Sequence, residues 1–478
     1  MKRLSTMIKR PDFGPFKTAA TLAALTLSVF FFWAPVWIAG QFGAVGLGEI
    51  MHTLMLPLEG LDRDIFFSGF TMLVACPALG GLLTFLMTRG LGGRLEKGLL
   101  FLAPAALLGS MAFADRQLAI HQFLWGEIEY GSFIDENYRA PDLDRIVFPE
   151  AKKNLIIILV ESLEDTFTSG QLGQVLAPDL KELQDRHLSF KRQAQVHGAG
   201  WTIAGYTAYL FGLPLKLPLS IMKRDHNDYS RYGTFLPGAV SLLEVFEKNG
   251  YDFQVIMGSD SAFGGRRNLF KTHAPGARIF DREQFLAGPH EAGDLSSPWG
   301  FGDSFLFREA RAIVKSAAER QRPFLTIIQT VDSHIGLDSY ENDAEYWRRT
   351  DRLSAAFARW LEEQDFYRDS VVLIIGDHLY MGQYCAKVEL PPISRRGIFN
   401  AFLNTGLQPE HPAPQGRLFS SFDLAPTILE AVGAVLPEGR FGLGVSLFRD
   451  IPTLLEEHGY ERLNEELQKR SRLYDSFY

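Results

Sequence analysis

Cysteine is almost absent from this chain of 478 residues, which has only Cys76 and Cys385. Cys76 falls within an apolar run and Cys385 lies far downstream, so we expect no disulfide bond between them. A chain of this length can bury a large core without disulfide bonds, and the cysteine count therefore leaves the compartment open. Dense runs of Lys and Arg are also lacking, and the formal net charge of −8 argues against a nucleic-acid partner.

Charged side chains are missing from three apolar stretches near the N-terminus, residues 18–40, 65–88 and 98–114. A stretch of about 20 apolar residues is long enough to cross the hydrocarbon core of a bilayer, and the third stretch is the shortest of the three. A signal peptide or buried helices of a soluble protein are the alternatives, but a cleaved signal peptide would not be followed by two further apolar runs. We therefore predict a membrane anchor of about three helices over residues 1–114.

The charges that flank these stretches predict their orientation. Basic residues lie before the first stretch and between the second and the third: Lys2, Arg3, Lys9, Arg10, Arg89, Arg94 and Lys97. The positive-inside rule then places the N-terminus in the cytoplasm and everything after residue 114 outside it. We interpret residues 42–61 as a segment on the outer surface, because a further crossing there would reverse this assignment.

The rest of the chain has the pattern of an α/β enzyme. Helical patterns at 239–249 and 305–320 alternate with short apolar runs, which fits a mostly parallel sheet with helices on both faces. The apolar runs are at 155–160, 253–257, 324–331 and 371–375. We predict a connector over residues 115–153, a catalytic domain over 154–450 and an amphipathic helical tail over 451–478.

Three of these runs are followed directly by a carboxylate or an imidazole. They are Glu161 after the first run, Asp332 and His334 after the third, and Asp377 and His378 after the fourth. Sites in doubly wound sheets lie at the carboxyl ends of the strands, so we expect these side chains to share one edge of the sheet.

Glu161, Asp377 and His378 together form an O/O/N ligand set that suits a divalent cation. Each has a simpler interpretation when it is taken alone. Asp377 and His378 could form a turn with a capping carboxylate, and Glu161 could be a satisfied polar residue at the end of a strand. The expected convergence of all three at one edge favours a metal site.

A glycine-rich segment at 198–205 supplies a candidate nucleophile, Thr202. Glycines let the backbone approach a ligand closely, and Thr202 lies where this loop enters an apolar helix, whose N-terminus suits a phosphate. A bound metal would lower the pKa of the hydroxyl and activate it. Threonine is also a good helix cap, and the residues alone leave the two roles open.

The sequence around these residues resembles the phosphoglycerol transferases of the alkaline phosphatase/sulfatase superfamily. This group includes the lipoteichoic acid synthases and the transferases that modify osmoregulated periplasmic glucans. The resemblance is carried by NLIIILVESLE from Asn154, GWTIAG from Gly200, WGFGD from Trp299, TVDSH from Thr330, GDHL from Gly376 and FDLAPTIL from Phe422. It covers residues 154–448 and the preceding apolar region, and it implies a sulfatase-like α/β fold.

The resemblance also implies a reaction. One Mn²⁺ ion, with Mg²⁺ or Zn²⁺ as alternatives, would be held by Glu161, Thr202, Asp377 and His378. Thr202 would attack the phosphodiester of phosphatidylglycerol, and a glucan hydroxyl would then take the glycerophosphoryl group from the threonine. The chain would be a multi-pass protein of the inner membrane with its catalytic domain in the periplasm.

Five further residues match the substrate side of this family: His334, Arg266, Arg267, Trp299 and His273. The sequence does not decide between Arg266 and Arg267 as the phosphate ligand, and both could instead be exposed loop residues. His334 could likewise be an ordinary histidine at the end of a strand. After His334, the glucan transferases have a second histidine and a proline where this chain has Ile335 and Gly336.

Three other functions compete with this one. A phosphoethanolamine transferase is disfavoured because such enzymes usually carry a disulfide-rich domain. A sulfatase would require a Cys or Ser in a different local motif at the position of Thr202. A non-catalytic protein with the same fold would be expected to have lost a ligand or the nucleophile, whereas all four candidate positions are filled.

Overall fold

The structure is a computed structural model that describes residues 15–42, 46–48, 50–51, 63–90, 93–125, 129–216, 233–288, 299–334, 343–382, 384–385 and 387–478. The chain divides into two compact units. One contains the described residues of 1–50 and 62–126, and the other contains those of 51–61 and 127–478.

The first unit is helical. Its elements are the helices Pro15–Phe42, Arg63–Phe70, Cys76–Gly90, Gly93–Leu118 and Ile120–Trp125, with a π-helical turn at Thr71–Ala75. The first helix packs against two others within the unit. Its Trp37 donates a hydrogen bond to the hydroxyl of Ser68 at 3.1 Å, and the rings of Phe32 and Phe113 stack at 5.4 Å.

Two stretches of the first unit are long and apolar enough to cross a membrane, Ala19–Gly40 and Phe67–Leu86. They correspond to the first two predicted stretches. The third prediction, residues 98–114, lies within the helix Gly93–Leu118, which does not meet the same standard over its described residues. The predicted outer-surface segment, residues 42–61, lies mostly outside the described residues.

The second unit is built on a six-stranded sheet. Its strands are β1 (Asn154–Val160), β2 (Asp252–Met257), β3 (Arg278–Phe280), β4 (Phe324–Gln329), β5 (Ser370–Gly376) and β6 (Asn400–Leu403). Their order across the sheet is β3–β2–β4–β1–β5–β6. All neighbours run parallel except β6, which is antiparallel to β5.

Both faces of the sheet are buried, as the apolar runs predict. Along β1, Leu155, Ile157 and Leu159 point into one hydrophobic cluster, whereas Ile156 and Ile158 point into the other. Successive side chains of a strand alternate between faces, so a strand covered on both sides must be apolar throughout. The predicted α/β class is therefore confirmed.

Helices cover the two faces. The helices of the second unit are Phe133–Asn137, Thr166–Ser169, Pro178–Arg186, Thr202–Phe211, Leu242–Lys248, Arg266–His273, Arg282–Ala287, Asp303–Ala318, Asp343–Glu362, Leu424–Ala431, Leu454–His458, Tyr460–Gln468 and Arg472–Asp475. The helix Thr202–Phe211 contributes to the cluster around Ile157. The helices Asp303–Ala318 and Asp343–Glu362 contribute to the cluster around Ile156.

The structure corrects two details of the sequence analysis. The sequence pattern did not indicate β3 and β6, the two edge strands, which are only three and four residues long. The tail is helical, but it forms three short helices rather than one. A glycine with φ of 76°, Gly459, separates the first two, because a left-handed backbone cannot continue an α-helix.

Candidate active site and metal centre

The register of the sheet brings the first two carboxylates together. Val160, the last residue of β1, lies opposite Gly376, the last residue of β5. Glu161 and Asp377 follow these two residues and therefore leave the sheet side by side. On the other side of β1, the backbone N–H of Glu161 donates to the hydroxyl of Thr330 just beyond β4, at 3.0 Å. The predicted convergence of these strand ends thus has a direct geometric basis.

Glu161, Asp377 and His378 form a compact and fully buried cluster. Their ligand atoms all lie within 4.8 Å of one another. The distance from His378 Nε2 is 3.3 Å to Glu161 Oε1 and 3.6 Å to Asp377 Oδ2. The structure thus brings together the three residues that the sequence analysis proposed as metal ligands, in an arrangement that could hold one metal ion.

Two unpartnered atoms in this cluster fit a cation. Asp377 Oδ2 and His378 Nε2 are both buried and have no hydrogen-bond partner, although buried polar atoms are nearly always paired. His378 Nδ1 lies 2.8 Å from the carbonyl of Leu379. If Nδ1 donates to that carbonyl, Nε2 carries the lone pair and faces the carboxylates, as a metal-ligating histidine does. The donor set therefore suits a divalent ion such as Mn²⁺, Mg²⁺ or Zn²⁺.

The electrostatics of the cluster indicate an excess of buried negative charge. Burial and the neighbouring carboxylate of Glu161 raise the pKa of Asp377 to about 7. Burial lowers the pKa of His378, but the charges of Asp377 and Glu161 outweigh it and raise that pKa to about 9. For Glu161, burial raises the pKa, whereas the charges of His334 and His378 lower it below its ordinary range. A divalent cation would balance both carboxylates without a proton on His378.

Ser162 holds two of the candidate ligands in place. Its backbone N–H donates to Asp377 Oδ1 at 2.7 Å, and its hydroxyl donates to Glu161 Oε1 at 2.8 Å. Its φ angle is 57°, a conformation that side chains other than glycine rarely adopt. Such strain is typical of functional sites, where the surrounding structure imposes it.

Thr202, the candidate nucleophile, is the first residue of the helix Thr202–Phe211. Its hydroxyl lies 3.4 Å from Glu161 Oε2, so it reaches the edge of the carboxylate cluster. The helix docks closely onto the segment after β5. The hydroxyl of Tyr209 donates to the carbonyls of Gly376 and Asp377 at 2.5 and 3.1 Å, and a Cβ at Gly205 would come within 2.5 Å of the Asp377 carbonyl.

His334 and Trp299 lie beside the cluster. Their rings pack at 4.6 Å between centroids, and Trp299 also contacts Phe263 at 5.4 Å. His334 is close enough that its charge lowers the pKa of Glu161. Trp299 is 6% exposed, so most of its surface packs inside the protein, where it supports the ring of His334.

The structure distinguishes Arg266 from Arg267. Arg266 is buried and donates to Gln329, the last residue of β4, and to the carbonyl of Asp260, at 3.1 and 2.7 Å. Its positive charge interacts with Glu161. The guanidinium of Arg267 instead contacts three carboxylates: Asp260, Asp281 and Glu283. Arg266 is therefore buried close enough to Glu161 for their charges to interact, whereas the guanidinium of Arg267 pairs directly with carboxylates outside the cluster.

Both ring nitrogens of His273 have hydrogen-bond partners inside the protein, which is typical of a structural residue. It is 1% exposed. One ring nitrogen contacts Glu244 at 2.5 Å and the other contacts the carbonyl of Phe235 at 2.6 Å. A role in substrate binding would require His273 to give up one of these contacts.

Two residues that shape the site are not predicted from the sequence. Asp303 is fully buried, and its carboxylate accepts the backbone N–H groups of Val331 and Asp332 at 2.7 and 3.3 Å. It thereby fixes the turn that carries His334. The side chain of Gln195 accepts the N–H of Leu379 at 2.7 Å, which joins the segment before the glycine-rich loop to the segment after His378. Asp303 is the last residue of the WGFGD motif, whereas no local sequence pattern marks Gln195.

Comparison with known proteins agrees with this geometry. A family model described as "Sulfatase" matches residues 153–434. The chain is 24% identical over 460 residues to phosphoglycerol transferase I of Xanthomonas euvesicatoria pv. vesicatoria, which covers 91% of this chain and 62% of that protein. It is 25% identical over 453 residues to phosphoglycerol transferase I of Escherichia coli, which covers 90% of this chain and 56% of that protein. The chain thus spans little more than half the length of these relatives.

Two solved structures share the fold. One is a protein of the alkaline phosphatase superfamily from Vibrio parahaemolyticus, with a TM-score of 0.50, 19% identity, and coverage of 69% of this chain and 81% of that one. The other is the lipoteichoic acid synthase LtaP from Listeria monocytogenes, with a TM-score of 0.50, 19% identity, and coverage of 64% and 80%. At this level of identity the similarity concerns the fold alone.

Proposed function

Since this chain belongs to the sulfatase family, we propose that it is a metal-dependent phosphoglycerol transferase. It moves the glycerophosphoryl group of phosphatidylglycerol to a hydroxyl of a periplasmic glucan. The observation that carries this proposal is the position of the Thr202 hydroxyl, 3.4 Å from a carboxylate of the buried metal-ligand cluster. The names of the relatives, both phosphoglycerol transferase I, support the same group transfer.

Thr202 is the nucleophile in this proposal. Its oxygen forms a bond to the phosphorus of phosphatidylglycerol while the bond from phosphorus to the diacylglycerol oxygen breaks, and diacylglycerol leaves with a proton. The product is a glycerophosphoryl-threonine. A glucan hydroxyl then attacks the same phosphorus while the bond from phosphorus to the threonine oxygen breaks, and the proton of the glucan hydroxyl passes to the threonine. Splitting one difficult exchange into two steps is the general advantage of a covalent nucleophile.

One divalent ion, Mn²⁺ in this proposal, would be held by Glu161, Asp377, His378 and the hydroxyl of Thr202. When bound, such an ion lowers the pKa of the hydroxyl and neutralises charge on the phosphoryl oxygens. The protein itself supplies orientation. Glu161 accepts the hydroxyl of Thr202, and Ser162 fixes the carboxylates of both Glu161 and Asp377.

The substrate side of the site is assigned to Arg266 and His334. The buried guanidinium of Arg266 is preoriented by Gln329, whose side-chain oxygen also accepts the hydroxyl of Tyr206 at 3.0 Å. A planar guanidinium held in this way suits a phosphate oxygen. Trp299 supports His334, and the contacts of Arg267 and His273 favour a supporting role for those two residues.

The direct test supplies the purified chain with phosphatidylglycerol labelled in its head group, together with Mn²⁺. We expect release of diacylglycerol and label on the peptide that contains Thr202, detected by mass spectrometry. A matched reaction with phosphatidylethanolamine tests the competing donor. Label transferred from phosphatidylethanolamine but not from phosphatidylglycerol would replace this proposal by the phosphoethanolamine transferase, and release of free glycerophosphate alone would make the chain a hydrolase.

We also place the catalytic unit on the periplasmic side of the inner membrane. With a cytoplasmic N-terminus, this requires an odd number of crossings, so the helix Gly93–Leu118 would cross in addition to Ala19–Gly40 and Phe67–Leu86. Large apolar side chains on that helix are strongly exposed, as a lipid-facing surface requires: Phe101 at 80% and Leu108 at 68%.

Single cysteines introduced into the Cys76→Ala/Cys385→Ala background can test this topology. Cys385 is buried and Cys76 lies in the apolar stretch Phe67–Leu86, so neither native cysteine can report on the side of the membrane where a loop lies. A membrane-impermeant thiol reagent applied to intact spheroplasts should label a cysteine at the exposed Glu438 position and should not label one at Lys9. Protection of position 438, with labelling only after the membrane is permeabilised, would show an even number of crossings.

A further inference from the structure

A buried ion pair outside the metal-ligand cluster joins the two chain segments that carry the ligands. We propose that Glu164 and Arg396 form a positioning clamp that fixes Glu161 relative to Asp377 and His378 and thereby sets the affinity for the metal ion. Neither residue touches substrate or metal in this assignment. The inference rests on the proposed function only in that it takes this cluster as the metal site.

Glu164 and Arg396 contact each other through several atoms, and both also contact Tyr380. The Nε of Arg396 lies 3.1 and 3.0 Å from the two carboxylate oxygens of Glu164, and its Nη2 contacts one of them as well. Nη2 also donates to the carbonyl of Tyr380 at 2.5 Å. The same carboxylate accepts the N–H of Tyr380 at 3.2 Å. The backbone of Tyr380 is therefore held by both members of the pair.

The clamp connects both ligand-bearing segments. Glu164 lies three residues after Glu161, on the segment that leaves β1, and Tyr380 lies two residues after His378, on the segment that leaves β5. Backbone contacts around Arg396 continue the connection: the N–H of Gly376 donates to Phe399 at 2.9 Å, and Phe399 donates to Leu163 at 3.2 Å. A shift of either segment would have to break the clamp.

Burial alone does not make the clamp a stabilising element. The side chains of Arg396 and Glu164 are 5% and 0% exposed. Removing two charges from water costs about as much as their attraction returns, so buried ion pairs are often replaced by apolar side chains without loss of stability. Residues that orient metal ligands, by contrast, typically change metal affinity by about 10- to 100-fold when they are altered.

The test is the double variant Glu164→Leu/Arg396→Met, which replaces the pair by apolar side chains of similar size. Mn²⁺ binding is measured by isothermal titration calorimetry on the full-length chain in detergent, and folding is measured by thermal unfolding. We expect a folded protein whose dissociation constant for Mn²⁺ is raised by about 10- to 100-fold. The milder variant Arg396→Lys keeps the charge pair but loses the hydrogen bond from the arginine to the carbonyl of Tyr380. We expect a smaller increase in the dissociation constant for Mn²⁺.

A second Arg–Glu pair, in which the arginine is buried and the Glu456 side chain is 25% exposed, provides the control. Arg417 donates to both oxygens of Glu456, at 3.2 and 2.7 Å, and also to the backbone carbonyls of Arg449 and Ile451. Its side chain is 1% exposed. The variant Arg417→Met/Glu456→Leu makes the same chemical change away from the ligand-bearing segments, so its Mn²⁺ affinity should equal that of the wild type.

The outcomes separate the clamp from the proposed function. Wild-type Mn²⁺ affinity in both clamp variants would overturn the clamp and leave the transferase proposal intact. An equal loss of affinity in the control pair would also overturn it, since the effect would then be general destabilisation. If the double variant does not fold, Arg396→Lys decides the question. Mn²⁺ binding by the wild type without transfer from phosphatidylglycerol would overturn the function and leave the clamp standing.

Discussion

Turnover is expected to fall by about 1,000-fold or more in Thr202→Ala, because the proposed covalent intermediate can no longer form. Binding of Mn²⁺ should weaken far less, since Glu161, Asp377 and His378 remain. The measurements are diacylglycerol release from phosphatidylglycerol and calorimetric Mn²⁺ titration. Label from phosphatidylglycerol should no longer appear on the protein.

Two companion variants make this result specific. Thr202→Ser retains a hydroxyl and should keep measurable turnover with label on the serine. Thr207→Ala alters the same helix at a buried threonine whose hydroxyl bonds the carbonyl of Ile203 at 2.8 Å, and it should behave like the wild type. Undiminished transfer by Thr202→Ala would remove Thr202 from its role as nucleophile.

The second large effect is expected in Asp377→Asn, which removes one negative charge from the cluster while preserving its shape. In the structure, the N–H groups of Ser162 and His378 lie 2.7 and 2.9 Å from Asp377 Oδ1. The amide oxygen of the asparagine can still accept both of them. We expect Mn²⁺ affinity to fall by more than about 100-fold, beyond the range for residues that only orient a ligand. Transfer activity should disappear at micromolar Mn²⁺ and return in part at high concentrations.

Asp165→Asn is the matched control for this variant. Asp165 is a largely buried carboxyl on the segment that follows β1, burial raises its pKa to about 7, and one of its oxygens has no hydrogen-bond partner. It nevertheless lies outside the cluster of ligand atoms. Its change to Asn should leave Mn²⁺ affinity unaltered. Equal losses in the two variants would mean that Asp377 acts through general electrostatics and not as a ligand.

The sheet and the candidate ligands were predictable because each depends on local pattern. A strand buried on both faces must be continuously apolar, and β1, β4 and β5 all carry this signature. Parallel strands end at a common edge, so the residues that follow them must meet there. This reasoning requires no tertiary contact, and the cluster of Glu161, Asp377 and His378 confirms that they meet.

The supporting residues were not predictable in the same way. Ser162 combines a positive φ with contacts to Glu161 and Asp377, which lie one and 215 residues away. Arg266 and Arg267 are neighbours with the same chemistry, and only the positions of their partners separate them. Glu164 and Arg396 are 232 residues apart. Such roles depend on which side chains fold against each other, which a local motif does not record.

The order of the strands has a consequence for biosynthesis. β1 is central, and its neighbour β5, which delivers two of the ligands, is made more than 200 residues later. A nascent chain therefore contains Glu161 and Thr202 well before the cluster of Glu161, Asp377 and His378 can assemble, because residues 370–378 must first be added and paired. Under the proposed function, a chain truncated before residue 370 would lack two of the metal ligands and would not cleave phosphatidylglycerol.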